Sequence, residues 1–508
     1  MVQGDPERAF GHPCGSVVTT IQQTAPSAGV KLRPLRVMTI FLLTGLILAT
    51  IPFAKHTGLY ILVCLLSLCV IGPLWYSRSR KRLDYFESIH VFGIIYFLYM
   101  GVGAIWTVND PGTVAYDLYI VPYVPRALLY CLLGYVALLV GYYGPWRRRE
   151  LPPQRPEMLR GPLFLLLTGG IGLAGYVASG MSERIMALGL KMPALVGSMS
   201  QLAPVFLFSW ALGWMLYFSN TATRGQLWTL FGALVPGAFI VAFSTFSDKS
   251  LIMVLVGLPV IARWYTRRKI PWVFLVSLLL IFLFVIFPVY NTYRWSNPME
   301  GKVTRMVSTM QTMQSWDSTT YWTYTLQNFK RRMALINSVA VVVRDTGRWV
   351  PYARGSTILM PTLVYFIPRI VWHDKPVAAG GREFGRIFRV TNPLTRDTYI
   401  APTVIGELYW NFDLPGVLVG MAILGMAMRI LYRRYAESET FDPVRKAVHI
   451  LVLVLLAHIG GSMAPMIVGF VRALLLLAVL RWMGRRTGLL VRGPLPAGPA
   501  APIAAGSR

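Results

Sequence analysis

Residues 270–290, IPWVFLVSLLLIFLFVIFPVY, form an apolar run without a single charged side chain. A helix needs about 20 such residues to cross the ~30 Å hydrocarbon layer of a membrane. Runs of similar size recur along the chain, at 37–54, 58–76, 88–107, 125–145, 160–178, 201–218, 226–246, 250–265, 270–290, 414–432, 447–461 and 464–482. The sequence therefore predicts an all-α polytopic membrane protein with about 12 transmembrane helices.

The overall composition favours the same class. Of 508 residues, 55% are apolar and 14% are charged, with a formal net charge of +28. Soluble domains are typically about 25% charged. In a membrane protein a basic excess is first explained by topology, so we do not expect nucleic acid as a partner. Cys14, Cys64, Cys69 and Cys131 have neither metal-site nor disulfide-framework spacing.

Lys and Arg alternate between the loops that join the runs. Segments predicted to lie inside carry clusters at 78–82, 147–160, 263–269 and 429–446, whereas the short outer loops are nearly bare. Basic residues accumulate on the cytoplasmic side, so both termini are predicted to be cytoplasmic. The predicted order is a disordered tail (1–35), helices 1–9 (36–290), a large outer loop (291–402), helices 10–12 (403–483) and a second disordered tail (484–508).

The outer loop departs from this alternation. Residues 291–402 contain 15 Lys or Arg against six Asp or Glu, but long loops cross membranes largely regardless of charge. The loop is either a solvated basic domain or a surface that binds an anion at the membrane face. The predicted spans are nearly free of ionisable residues, which argues against a proton-coupled transporter.

Two partly apolar segments of this loop predict helices that lie in the membrane interface or pack on the membrane domain. They are TTYWTYTLQNFKRRMALINSVAVVVRDTG (319–347) and STILMPTLVYFIPRIVW (356–372). Lys330, Arg331 and Arg332 form a basic cluster that suits either lipid headgroups or a bound phosphate. The aromatic residues are candidates for a sugar-binding platform or for an ordinary interfacial belt; they are Trp316, Tyr321, Trp322 and Tyr324.

A second basic stretch follows. Arg382, Arg386 and Arg389 are spaced i, i+4 and i+7, which predicts one face of a helix. Phe384, Ile387 and Phe388 then belong to the opposite side. Guanidinium groups bind phosphate with two parallel hydrogen bonds, although lipid headgroups satisfy them too. Arg369 and Lys375 lie just upstream, and His373 with Asp374 is only a weak metal signal, for which a structural turn is the better explanation.

Residues 402–412 predict a separate short helix. Asp413 is suited to cap the next helix, with Pro415 in its first turn. On the short helix, Thr403, Glu407, Trp410 and Asn411 share a face by their spacing. Burial at the membrane edge would raise the pKa of Glu407, which suits a general base. A structural salt bridge with a loop arginine is the alternative.

These segments also carry a resemblance. GSTILMPTLVYFIPRIVWHDKP (355–376), REFGRIF (382–388) and APTVIGELYWNFDLPGVLVGM (401–421) resemble the outer-loop region of the Wzy-type O-antigen polymerases, the oligosaccharide repeat-unit polymerases. The resemblance covers roughly residues 350–425, and elsewhere it extends only to topology and hydropathy. Asp413 stands where that family usually has glycine.

The resemblance implies a glycosyltransferase of GT-C-like architecture in the bacterial inner membrane. It would transfer a growing chain from undecaprenyl pyrophosphate to the next lipid-linked repeat unit on the periplasmic side, together with a chain-length regulator and a flippase. Neither a metal nor another cofactor is expected. The implied catalytic residues are Glu407, Arg369 and Arg382; the pyrophosphate ligands are Arg331, Arg332, Arg369, Lys375, Arg382 and Arg386; and the sugar ligands are Trp322, Tyr324, Trp410 and Asn411.

Other functions remain open at this point. An O-antigen ligase uses the same carrier and needs a similar body and basic loop, and only the quoted segments favour the polymerase. A flippase or exporter of lipid-linked oligosaccharide would need charged residues within its spans. A scaffold protein of an envelope complex would not need a basic, aromatic outer loop.

Overall fold

The computed structural model describes residues 57–79, 83–110, 118–144, 155–187, 194–244, 249–266, 270–295, 301–367, 371–372, 380–390, 400–437, 441–458 and 460–493. All of these residues belong to one compact unit, His56–Arg508. The predicted tail at 1–35 and the predicted first span at 37–54 lie outside the described residues.

The described chain is almost entirely helical. In chain order the helices are α1 (Thr57–Ser79), α2 (Ser88–Asn109), α3 (Tyr119–Tyr143), α4 (Leu163–Met181), α5 (Leu195–Phe218), α6 (Arg224–Ala242), α7 (Lys249–Tyr265), α8 (Val273–Arg294), α9 (Lys302–Gln314), α10 (Ser318–Met333), α11 (Ile336–Asp345), α12 (Leu359–Phe366), α13 (Gly380–Ile387), α14 (Thr403–Tyr435), α15 (Pro443–Leu456) and α16 (Met463–Arg486). Of the helices described, nine are long and apolar enough to cross a membrane: α1–α6, α8, α14 and α16. The all-α polytopic class is therefore confirmed.

The predicted number of spans is larger than nine for identifiable reasons. One of the twelve runs lies outside the described residues, and two others form helices that are short for a span. These are α7, with an apolar part at Leu251–Tyr265, and α15, which has 14 residues. The count of 12 stays a prediction.

One small sheet accompanies the helices. Strand β1 (Glu157–Leu159) pairs antiparallel with β2 (Leu490–Arg492), and Glu157 lies opposite Arg492. Since α16 continues to Arg486 and β2 follows it, the prediction of a disordered tail is wrong for residues 484–493.

The apolar side chains form two clusters. The first joins α1, α2, α3, α11 and α14, and the second joins α4–α7, α15 and α16. Helix α11 is the unexpected member of the first cluster because it comes from the predicted outer loop. Its residues from Ile336 to Val343 are all buried. Of the two predicted placements, packing on the membrane domain is the one found for this segment.

Helices α3 and α14 pack with their backbones in contact. A Cβ added to Gly141 would lie 2.0 Å from the Ala422 carbonyl oxygen, and one added to Gly425 would lie 2.1 Å from the Leu138 carbonyl oxygen. Small residues allow this close approach between membrane helices. The pair forms the centre of the first cluster.

We expect Gly425→Ala to destabilise the protein by about 1–3 kcal/mol, because the added methyl group must push two backbones apart. A lower Tm of the purified protein in detergent checks this. Gly170→Ala on α4 is the matched control, since a Cβ at Gly170 meets nothing within 4 Å. Alanine favours a helix over glycine, so the control is expected to keep or raise Tm. Equal Tm values for both variants would contradict the packing argument.

Hydrogen bonds to Asp84 and Glu87 lie at one end of the helix bundle, which we call the Asp84 end. The Asp84 carboxylate accepts hydrogen bonds from Trp264 Nε1 (3.2 Å) on α7 and from the Tyr432 hydroxyl (3.1 Å) on α14. The Tyr142 hydroxyl on α3 donates to Glu87 Oε1 at 2.7 Å. These bonds tie α7, which belongs to the second apolar cluster, to helices of the first.

Candidate functional site

Two of the quoted segments meet at the other end of the bundle. Gly355 N donates to Asn411 Oδ1 at 2.8 Å, and Asn411 Nδ2 donates to Thr357 Oγ1 at 2.7 Å. Thr357 is also hydrogen-bonded to the Glu407 side chain. Glu407 Oε2 in turn accepts from Met463 N at 2.6 Å. We call these five residues the Glu407 network, and their end of the bundle the Glu407 end.

Glu407 is held at the start of the last helix. It is 1% exposed, and its partner Met463 is the first residue of α16. Ser462, the residue before this helix, makes no side-chain cap bond, so the Glu407 carboxylate satisfies an N–H group that would otherwise lack a partner. A negative charge is favoured there by the helix dipole. Among the described residues Glu407 forms no ion pair, so the alternative of a salt bridge with a loop arginine is not found in that part of the chain.

Trp410 and Asn411 have structural roles here. Trp410 is 4% exposed, donates from Nε1 to the Pro351 carbonyl oxygen at 3.3 Å, and packs against Phe388 with ring centroids 5.1 Å apart. Asn411 uses both ends of its amide within the protein, since Nδ2 also donates to the Glu407 carbonyl oxygen at 2.7 Å. Both side chains are thus buried and hydrogen-bonded within the protein, and their role in sugar binding stays a prediction.

The remaining quoted segment, residues 382–388, forms most of α13 and contacts Trp410. Phe384 and Phe388 are buried there, and Arg386 is exposed on the other side, so these three residues occupy opposite faces as predicted. The predicted row of three arginines is wrong at Arg389, because α13 ends at Ile387 and Arg389 follows with φ 53°. Ile387, the third residue predicted for the phenylalanine side, is 38% exposed.

Several predicted ligands lie outside what the structure describes. Arg369 and Lys375 are outside the described residues, and for Arg382 only the backbone of α13 is described. Their placement stays a prediction.

The predicted ligands on α10 form a separate group. Arg331 is exposed and Arg332 is half-buried, close enough to Tyr324 to act on it electrostatically. Lys330 Nζ pairs with Asp110 Oδ2 at 2.8 Å, and Trp322 packs on Phe284 of α8 with centroids 5.0 Å apart. Helix α10 thus contacts α2 and α8.

The predicted break before the tenth run is confirmed. Phe412 (φ −139°, ψ 17°) and Asp413 (φ 56°, ψ −158°) are non-helical and divide α14 into two helical pieces. Asp413 Oδ1 accepts from Leu414 N at 2.8 Å, and Pro415 follows in the first turn. The dihedral angles of Asp413 belong to a region that is essentially restricted to glycine.

Sequence reasoning missed Thr357 and Tyr352. Thr357 follows Gly355 and Ser356 at the polar start of the quoted segment, and nothing in this local pattern distinguishes it from Ser356. The Tyr352 hydroxyl donates to Asp413 Oδ2 at 3.1 Å. Burial and this hydrogen bond raise the pKa of Tyr352 above its ordinary value, so the hydroxyl remains a donor. Within the described residues no group of three or more His, Cys, Asp or Glu is placed to hold a metal ion.

A known protein family covers most of the residues of the Glu407 network. The family model described as "Domain of unknown function (DUF8712)" matches residues 176–440, more than half of the chain. The protein belongs to the DUF8712 family. No curated protein and no solved structure matched the chain.

The DUF8712 region begins within α4 and ends just after α14. It includes Gly355, Thr357, Glu407 and Asn411 of the Glu407 network, whereas Met463 lies beyond it. The family description names no activity, so the resemblance to O-antigen polymerases stays a prediction.

Proposed function

We propose that this protein is a glycosyltransferase that polymerises undecaprenyl-pyrophosphate-linked oligosaccharide repeat units at the periplasmic face of the bacterial inner membrane. One observation carries the proposal. Of the three segments that resemble the polymerases, the first two both contact the third. Thr357 accepts a hydrogen bond from Asn411 Nδ2, and Phe388 packs on Trp410. Such convergence is what a shared site requires.

The proposed transfer reaction explains why the outer loop carries so many basic residues. In the proposed reaction, a hydroxyl oxygen of the acceptor sugar forms the new bond to the anomeric carbon of the growing chain. The bond from that carbon to the pyrophosphate breaks, and the pyrophosphate leaves with both electrons. Fixed positive groups aimed at developing charge are often the largest catalytic contribution. Arg386, exposed on α13, is positioned by the packing of Phe384 and Phe388 on Trp410.

The acceptor hydroxyl must lose its proton, and Glu407 is the proposed base. The carboxylate itself is buried, but Thr357 is half-buried and hydrogen-bonded to it. Thr357 therefore links Glu407 to the surface of the site and can pass a proton through its hydroxyl group. Arg369, Arg382 and Lys375 complete the proposed pyrophosphate ligands.

The proposed function also implies a membrane topology and partner proteins. Both termini would be cytoplasmic, the substrate would arrive through a flippase, and a chain-length regulator would work beside the enzyme. The Arg331 and Arg332 pair on α10, together with Trp322 and Tyr324, would contact the lipid-borne substrate or the headgroups around it.

The test is the glycan profile of a strain that lacks the protein, run on a gel beside the parent strain. We expect the polymer ladder to be lost and single repeat units to remain on the core or the carrier. Long polymer stranded on the carrier would indicate a ligase, and repeat units retained on the cytoplasmic side would indicate a flippase. An unchanged ladder would refute all three.

A further inference from the structure

Five side chains form a cluster beside the Glu407 network, where α3, the loop before α12 and the break in α14 meet. We call Arg126, Tyr130, Tyr352, Tyr409 and Asp413 the tyrosine cluster. The rings of Tyr130 and Tyr409 are stacked with centroids 5.3 Å apart and an interplanar angle of 21°. Arg126 Nε donates to the Tyr130 hydroxyl at 2.8 Å, and the Tyr352 hydroxyl donates to Asp413 Oδ2 at 3.1 Å.

The backbone at Asp413 is costly. With φ 56° and ψ −158°, it occupies a region in which any side chain is strained. Glycine would fit this position without strain. A carboxylate is nevertheless present, and residues held in such conformations concentrate at functional sites.

The cluster is open to a ligand. Arg126 is exposed, and Tyr130, Tyr352 and Asp413 are half-buried, whereas Tyr409 is buried beneath Tyr130. The accessible groups therefore combine an aromatic face with a carboxylate, a guanidinium group and a hydroxyl. A sugar ring matches this set, because its C–H groups pack on aromatic rings and its hydroxyls donate to carboxylates and accept from guanidinium groups.

The charge decides which part of the substrate fits. A carboxylate repels a pyrophosphate at close range and accepts hydrogen bonds from hydroxyl groups. We propose that the tyrosine cluster binds a sugar ring of the acceptor repeat unit, with Asp413 accepting hydrogen bonds from its hydroxyls. This assignment rests on the proposed function. The sugar-binding role predicted for Trp410 and Asn411, which are buried, is thereby assigned to the tyrosine cluster. Its member Asp413 lies two residues after Asn411.

The test is direct binding, without any transfer reaction. The purified full-length protein in lipid nanodiscs is titrated with oligosaccharide released by mild acid from the lipid-linked pool of the producing strain. We expect Asp413→Asn and Asp413→Gly each to weaken binding by about tenfold or more, as for hydrogen bonds to a charged group. Asp413→Gly is also expected to raise Tm by about 1–3 °C, because it relieves the backbone.

Asn220→Gly is the matched control. Asn220 also has a positive φ, 58°, but it lies between α5 and α6, outside the tyrosine cluster. This variant is expected to bind the oligosaccharide like the wild type. Wild-type affinity in both Asp413 variants, or no binding by the wild-type protein, would overturn the subsite. The gel test of the deletion strain is independent of this result, so the failure of either proposal is recognised separately.

Discussion

A Glu407→Gln variant is expected to abolish the polymer ladder while the protein remains folded in the membrane. Glutamine has nearly the same volume, and its side-chain oxygen can still accept the hydrogen bond from Met463 N. It cannot take a proton from an acceptor hydroxyl. Loss of a general base typically costs about 10²–10⁴ in rate, which would leave no visible ladder. The measurement is complementation of the deletion strain, with the amount of protein in the membrane followed by immunoblot.

Two further variants separate the roles of Glu407. Glu383→Gln makes the same change on the exposed side of α13, outside the Glu407 network, and should leave the ladder intact. Glu407→Ala removes the acceptor and leaves Met463 N and Thr357 without their partner, so the amount of protein should fall. A normal ladder from Glu407→Gln would assign this residue to capping α16 and exclude it as the base.

The helices were largely predictable because one physical requirement decides them. An uninterrupted apolar run such as residues 270–290 has few alternatives to a membrane helix, and α8 forms there. The position of a short apolar segment is not decided by this requirement. The segment at 336–345 is too short to cross a membrane, and its hydrophobicity alone does not distinguish an interfacial helix from the core helix α11. Its position depends on α3 and α14, which are distant in sequence.

The site was predictable only where neighbours in sequence decide it. Spacing placed Glu407, Trp410 and Asn411 on one helical piece, and Asp413 with Pro415 predicted the break that follows. Their burial depends on the loop at 351–357 and on Met463, which no local pattern connects to them. Arg126 and Tyr130 gave no signal at all, because they lie on a different span from Asp413.

Trp410→Ala is expected to have the largest effect on stability. Its indole is buried against Phe384 and Phe388, and its backbone carbonyl oxygen accepts from Ala353 N at 3.0 Å. Truncation of a buried aromatic side chain typically costs about 3–5 kcal/mol. Helix α13 should loosen first, because eight residues do not form a stable helix alone. Hydrogen–deuterium exchange of residues 380–390, together with the Tm in detergent, measures both effects.

Trp349→Ala supplies the control for this prediction. Trp349 is 85% exposed, so the same truncation there should change neither Tm nor the exchange of α13. If Trp410→Ala lowered Tm without faster exchange in α13, the indole would stabilise the bundle without anchoring that helix. The arginine at position 386 would then need another support, and the proposed pyrophosphate site would lose its link to the Glu407 network. Faster exchange confined to α13 and its neighbours, with a lost ladder, is the result that the proposed arrangement requires.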